Sequence, residues 1–171
     1  MSSCRGVVMD PVRRAVEDFS KLQNLIAQGI ESGILDEDMG QSFRARARSV
    51  LSMIEDVGLV PALSFCYARA TKSTYNRVVS AWQKGWGAEA QRERGKKVIG
   101  KEEGGYAFYL FLVLSYLREL GVLKKDPAQP VEALGELVDV QVLAAKLLTP
   151  YCIQLKKLAE AVYTREKPGG E

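Results

Sequence analysis

Arg44 and Arg48 stand four residues apart in the run SFRARARSV, so on a helix they share one face. Arginine presents a planar fork of donors that grips phosphate oxygens in pairs and carries no base-sequence information. Arg69, which closes the run ALSFCYARA, and the adjacent Lys156 and Lys157 extend the same chemistry. A cation at Arg69 also complements the C-terminal end of a helix dipole. The other reading is local ion pairing, for example Lys156 with Glu160 one turn further on. Arg46 lies on the opposite flank of the apolar stripe and reads as an ordinary surface charge.

Other chemistries are restricted by composition. The chain has no histidine, which excludes Ser-His-Asp and Cys-His catalysis and HExxH zinc sites. The glycines between Gly100 and Gly105 lack the pattern of a phosphate-binding loop. Asp36, Glu37 and Asp38 form a short acidic turn that suits either a hard cation or the start of a helix. Glu132, Glu136 and Asp139 fall at helical spacing. Glu136 and Asp139 form an ExxD pair of the type that holds magnesium in helical nucleotide hydrolases. That chemistry needs a second acidic pair, and Glu102-Glu103 does not supply its spacing. Tyr67, Tyr75, Trp82 and Trp86 offer rings for base stacking, but their helical phase assigns them to core packing.

Charge is segregated along the chain. Arg44 to Lys101 holds 12 basic residues against 4 acidic ones, a net of +8, whereas the remainder nets −5. This suits a basic face for a polyanion, or a solvated surface with uneven pairing. Three cysteines, Cys4, Cys66 and Cys152, show no CxxC spacing. That argues against a disulfide framework or zinc and for a reducing cytoplasm. The N-terminal MSSCRGVVMDP lacks the apolar run of a signal peptide. The longest apolar run, Tyr106 to Leu117, covers twelve residues, where a membrane span needs about 20.

The elements that carry these residues read as helices throughout. Asp10-Pro11 is an N-cap followed by a proline at the first helical position. Val12, Val16, Phe19, Leu22, Ile26 and Ile30 follow in phase, and Gly33 is a stop. A second helix is expected over 41–57, with Phe43, Ala47, Val50, Leu51 and Ile54 inward and Gly58 at its end. A third spans 60–70 and a fourth 71–86. The stretch 85–105 reads as a loop, because it holds several glycines and many charges. Tyr106 to Leu120 is apolar on nearly every face and is expected at the centre. Lys124 to Pro130 is a linker. The chain is then helical over 131–166, with Pro150 expected to kink or split it. An all-α, single-domain bundle of about six or seven helices around an apolar central helix follows, with 1–9 and 167–171 as flexible ends.

Three blocks resemble the small helical subunit of type III-B (Cmr) CRISPR effector complexes. The first is Phe43, Arg48, Met53-Ile54, Gly58-Leu59 and Ala68-Arg69-Ala70. The second is YLFLVLSYLRE, Tyr109 to Glu119. The third is Lys156-Lys157-Leu158-Ala159-Glu160-Ala161. Gln154-Leu155 stands where that family commonly has an aromatic. The resemblance implies a non-catalytic subunit that stacks with copies of itself and with other Cmr subunits, and helps hold guide and target RNA. No cofactor, metal or membrane is implied. Arg44, Arg48, Arg69, Lys156 and Lys157 are then the expected RNA contacts. Ile153 projects away from its helix's apolar stripe and is the expected interface residue. A magnesium-dependent hydrolase using Glu136 and Asp139, and a free-standing helical adaptor, are the alternatives.

Overall fold

A computed structural model describes residues 10–87 and 98–164. Cys4, the expected flexible ends and most of the charged half of the 85–105 stretch lie outside the described residues. Within them the chain forms seven α-helices and one 3-10 turn: α1 Pro11–Glu31, α2 Met39–Val57, α3 Leu59–Ala70, α4 Lys72–Lys84, α5 Lys101–Glu119, α6 Pro130–Leu137, the turn Val138–Val140, and α7 Gln141–Val162. One isolated parallel bridge joins Leu35 to Ile99. No helix among the described residues is long and apolar enough to cross a membrane.

The expected ends of several helices are found with their physical causes. Asp10 Oδ1 accepts from the backbone N–H of Val12 at 2.9 Å and caps α1. Gly58, at φ 94°, separates α2 from α3, a backbone conformation that glycine adopts without strain. α5 is buried on every face and packs against α2, α3 and α4, while α7 packs against α1 and α2. The buried residues form one continuous cluster. α2 is therefore shared between the two packing layers.

Three expectations are corrected. Val12 and Val16 are exposed, because Ala15, Asp18 and Phe19 turn inward instead in the first turns of α1. α5 begins at Lys101 rather than Tyr106, so Gly104 and Gly105 lie inside the central helix. They are there for proximity. A Cβ on Gly104 would overlap the Met39 thioether, and one on Gly105 would overlap the Ser42 hydroxyl and lie 3.2 Å from the Ser42 carbonyl carbon. The third concerns Pro150, which does not split α7. The break falls earlier, at the 3-10 turn Val138–Val140. Next to Pro150, Thr149 Oγ1 donates to the Ala145 carbonyl at 2.7 Å.

The glycine seam gives a direct expectation. Gly105→Val should cost about 3 kcal/mol, at the upper end for overpacking. Gly135→Ala in α6, where a Cβ meets nothing within 4 Å, should instead gain up to about 1 kcal/mol from helix propensity. Urea denaturation midpoints compare the two. Equal and small effects would mean that the α2–α5 approach is not close.

Candidate nucleic-acid interface

The position of α2 between the two layers determines where its arginines go. Its first turns run antiparallel to the end of α7. Gln41 Nε2 donates to the Thr164 carbonyl at 2.6 Å, and the bare Gly40 backbone admits the Tyr163 ring. Two turns further along α2, Arg48 Nε lies 3.3 Å from Glu160 Oε1. At the far end, Gln141 Oε1 accepts from the Val60 N–H at 3.4 Å. The other flank of α2 meets α5. There Arg46 lies over the Tyr106 ring, with Cζ 4.4 Å from the centroid, and its Nη1 donates to the Tyr106 hydroxyl.

Arg44, Arg46 and Arg48 all line one open groove of about 1020 Å³ along the outer face of α2. Lys101, Glu102 and the α7 end around Tyr163 and Thr164 complete it. Three polar atoms in its wall are buried and without a hydrogen-bond partner among the described residues: Arg44 Nε, Arg46 Nε and the Tyr163 hydroxyl. Burial pushes the Tyr163 phenol up to about 12, so it stays a neutral donor. Unsatisfied buried donors are costly, and all three belong to residues that line the groove.

The groove is not uniformly basic, since Glu37, Asp38 and Glu102 also line it. The ion pairs there are long and exposed. Arg69 Nη2 reaches Glu102 Oε1 at 3.8 Å, and Lys101 Nζ reaches Asp38 Oδ2 at 3.8 Å. Such pairs contribute about 0–1 kcal/mol, so a phosphate can replace either carboxylate at small cost.

The five expected RNA contacts separate into three places. Arg44 and Arg48 meet in the groove, as their shared face requires. Arg69 stands at the rim, on α3, which runs antiparallel to α5. Lys156 and Lys157 lie outside the groove lining. Helical spacing sets Lys156 directly below Glu160, on the side of Arg48, and Lys157 in line with Ile153. Neither lysine makes an ion pair among the described residues. Glu160 pairs with Arg48 and not with Lys156.

Arg46 corrects its expectation as an ordinary surface charge. Its side chain is half-buried between α2 and α5. The contact with Tyr106 spans 60 residues, so helical phase alone could not reveal it. Lys101 was likewise hidden by the late start assigned to α5.

Ile153 is exposed, and it is not isolated. Leu143, Leu147, Pro150 and Ile153 follow one another along one side of α7, all exposed, with Val138 and Val142 beside them. This is an unpartnered apolar stripe rather than a single residue.

The carboxylates of the alternative, magnesium-dependent reading are engaged elsewhere. Glu136 accepts from the backbone N–H groups of Lys124 and Lys125, both at 2.9 Å, and these bonds lower its pKa. Asp139 lies in the 3-10 turn that follows α6. Among the described residues no cluster of three His, Cys, Asp or Glu is placed to hold a metal ion. In the acidic turn, Asp36 Oδ1 accepts from the Asp38 N–H at 2.8 Å, a local turn bond. Cys66 and Cys152 are buried free thiols, each pushed up to about 12 by burial.

No family model matches the sequence. A curated relative, the CRISPR system CMR subunit Cmr5 of Saccharolobus solfataricus (strain ATCC 35092 / DSM 1617 / JCM 11322 / P2), is 24% identical over 154 residues, covering 86% of this chain and 90% of that protein. The Cmr small-subunit resemblance is borne out. The fold agrees as well. A chain of the type III-B Cmr-beta complex bound to cognate target RNA and AMPPnP superposes with a TM-score of 0.63 at 19% identity, covering 89% of this chain and 95% of that one. A chain of the Cmr-beta complex bound to non-cognate target RNA gives 0.64 at 19% identity, covering 91% and 97%. The Cmr likeness therefore runs through the whole helical body rather than one motif.

Proposed function

We propose that this protein is a non-catalytic small subunit of a type III-B CRISPR RNA-guided, RNA-targeting complex, acting in the cytoplasm in antiviral defence. The observation that carries the reading is the end-to-end match to Cmr5 in sequence, joined by the same fold in chains of Cmr-beta complexes. In this reading Arg44, Arg48 and Arg69 hold phosphates of guide or target RNA along the α2 groove, with Lys156 and Lys157 continuing the basic surface on α7. The placement of Arg44 and Arg48 in one groove supports this, because guanidinium forks grip phosphate oxygens in pairs. The exposed stripe of α7, Leu143 to Ile153, is the surface for neighbouring subunits or further copies of the chain. An assembly partner explains why these apolar residues face outward.

The engagement of Glu136 with two backbone amides disfavours the magnesium-hydrolase alternative. Co-purification tests the reading directly. The tagged chain should bring down the other Cmr subunits and a small RNA. Leu147→Glu, which buries a charge in the stripe if it is an interface, should reduce recovery of the partner subunits at least tenfold while the isolated chain keeps its fold. Recovery of neither RNA nor partners with the unaltered chain would overturn the proposal.

A further inference from the structure

The rings that helical phase singles out are occupied in the core. Tyr75 and Trp86 are buried, and Trp86 Nε1 donates to the Leu25 carbonyl at 2.7 Å. Tyr67 and Trp82 are partly buried and pack against the same core. Phe65 on α3 is different. At 39% exposure it is the most exposed aromatic among the described residues. Its ring meets Tyr106 edge-on, centroids 5.8 Å apart at 79°. Arg69 Cζ lies 5.5 Å from the Phe65 centroid, and Arg46 lies on the far ring of the pair. Ser64 and Ala68, both exposed and short, leave the surroundings of the ring open.

An exposed ring thus stands between two guanidiniums at the rim of the α2 groove. We propose that Phe65 is a stacking platform for one unpaired base of an RNA strand, with Arg46 and Arg69 on the flanking phosphates. This rests on the reading that the face holds RNA, and it adds the class of RNA. Every base has a π-face, and stacking on an aromatic side chain is tolerant of sequence. A base inside a duplex is already stacked on both sides, so the platform selects a single-stranded or splayed nucleotide. Arg69 can leave the ring for a phosphate, because an exposed cation–π contact is worth about 0.5–1 kcal/mol. The flanking charge favours a polyanion over an apolar protein partner. Tyr106, held by Arg46 and buried in α5, fixes the platform from beneath.

The test compares the full chain with Phe65→Leu and Phe65→Trp for binding of a fluorescent single-stranded oligouridylate and of an RNA duplex of equal length. Phe65→Leu should weaken single-strand binding about tenfold, leave duplex binding unchanged and leave the salt slope unchanged, since no phosphate contact is lost. Phe65→Trp should restore or exceed the original affinity. Equal loss on both RNAs, or no loss on the single strand, overturns the platform. So does loss of subunit association with RNA affinity intact, which would assign the ring to a protein interface. If arginine variants in the groove weaken RNA binding while Phe65→Leu does not, the phosphate reading stands and the platform alone falls. If the unaltered chain binds neither RNA at low salt, both fall.

Discussion

Asp18→Ala is expected to destabilise the fold by about 3–5 kcal/mol, the usual cost of breaking a buried charged pair from one side. Asp18 is 6% exposed. Arg14 Nε lies 3.0 and 3.1 Å from its two carboxylate oxygens, and the Tyr151 hydroxyl donates to Oδ2 at 2.7 Å. Arg14 also reaches Glu119 at 3.6 Å, so the network ties α1 to α5 and α7. Tyr151 stacks on Tyr116 with centroids 4.2 Å apart and planes 4° apart. Removing the carboxylate leaves a half-buried guanidinium and a buried hydroxyl unpaired together. Burial and the Asp18 charge push the Tyr151 phenol well above its ordinary value, so it remains a donor with no means of compensating by ionisation. Tyr151→Phe keeps the ion pair and should cost only about 1 kcal/mol. The double variant should fall short of the sum, because both changes remove the same bond. Urea denaturation of the four proteins measures this. A loss below about 1 kcal/mol for Asp18→Ala would show that the network contributes little.

That network matters for the groove because it docks α7, and α7 forms one of the groove's walls. Tyr151 fixes the helix against α1, and three turns later Glu160, Tyr163 and Thr164 border Arg44 and Arg48. A misdocked α7 would lose the Gln41–Thr164 bond first, since that contact sits at the free end. Partial destabilisation at Asp18 is therefore expected to weaken RNA retention through the α7 wall, with no change in the charge of the site.

The helical architecture was legible because its signals are local. Asp10-Pro11 caps α1 whatever surrounds it, and Gly58 ends α2 because its backbone conformation suits glycine. Two breakers misled for the same reason in reverse. Gly104-Gly105 looks like a loop in isolation, yet the pair is helical because α2 approaches too closely for a side chain. Pro150 looks like a break, yet α7 runs through it unsplit. At the site, helical phase correctly joined Arg44 to Arg48. It also separated Arg46 correctly, to the opposite flank. What phase cannot supply is the neighbour waiting on that flank, and Tyr106 turns a surface charge into a wall of the groove. Phe65 was passed over for a related reason. The aromatics in best helical phase are the ones the core absorbs, so an accessible ring is found off the stripe.

Replacing Arg44, Arg48, Lys156 and Lys157 together by alanine is expected to lower RNA affinity about 100-fold at moderate salt. It should also reduce the slope of log affinity against log salt by about 3, since each lost single-strand phosphate contact removes about 0.7. The matching control removes Arg13, Arg118, Lys124 and Lys125, four exposed or pair-bound cations away from the groove. Net charge falls equally in both proteins. Long-range attraction alone would weaken binding equally in both, whereas direct contact predicts a large loss in the first and a small one in the second. The individual contributions should be unequal. Arg44 lines the groove and makes no ion pair among the described residues, so it has no carboxylate to leave before it meets a phosphate. Arg48 must first leave Glu160, an exposed pair at 3.3 Å that offsets part of its gain. Arg44→Ala should therefore cost more than Arg48→Ala, and Glu160→Gln should strengthen binding two- to fivefold by freeing Arg48, a change of roughly 0.4–1 kcal/mol. Lys157, aligned with Ile153 rather than with Glu160, should contribute least to RNA and most to association through the α7 stripe. An RNA affinity that survives the fourfold substitution with its salt slope intact would remove these residues from the interface.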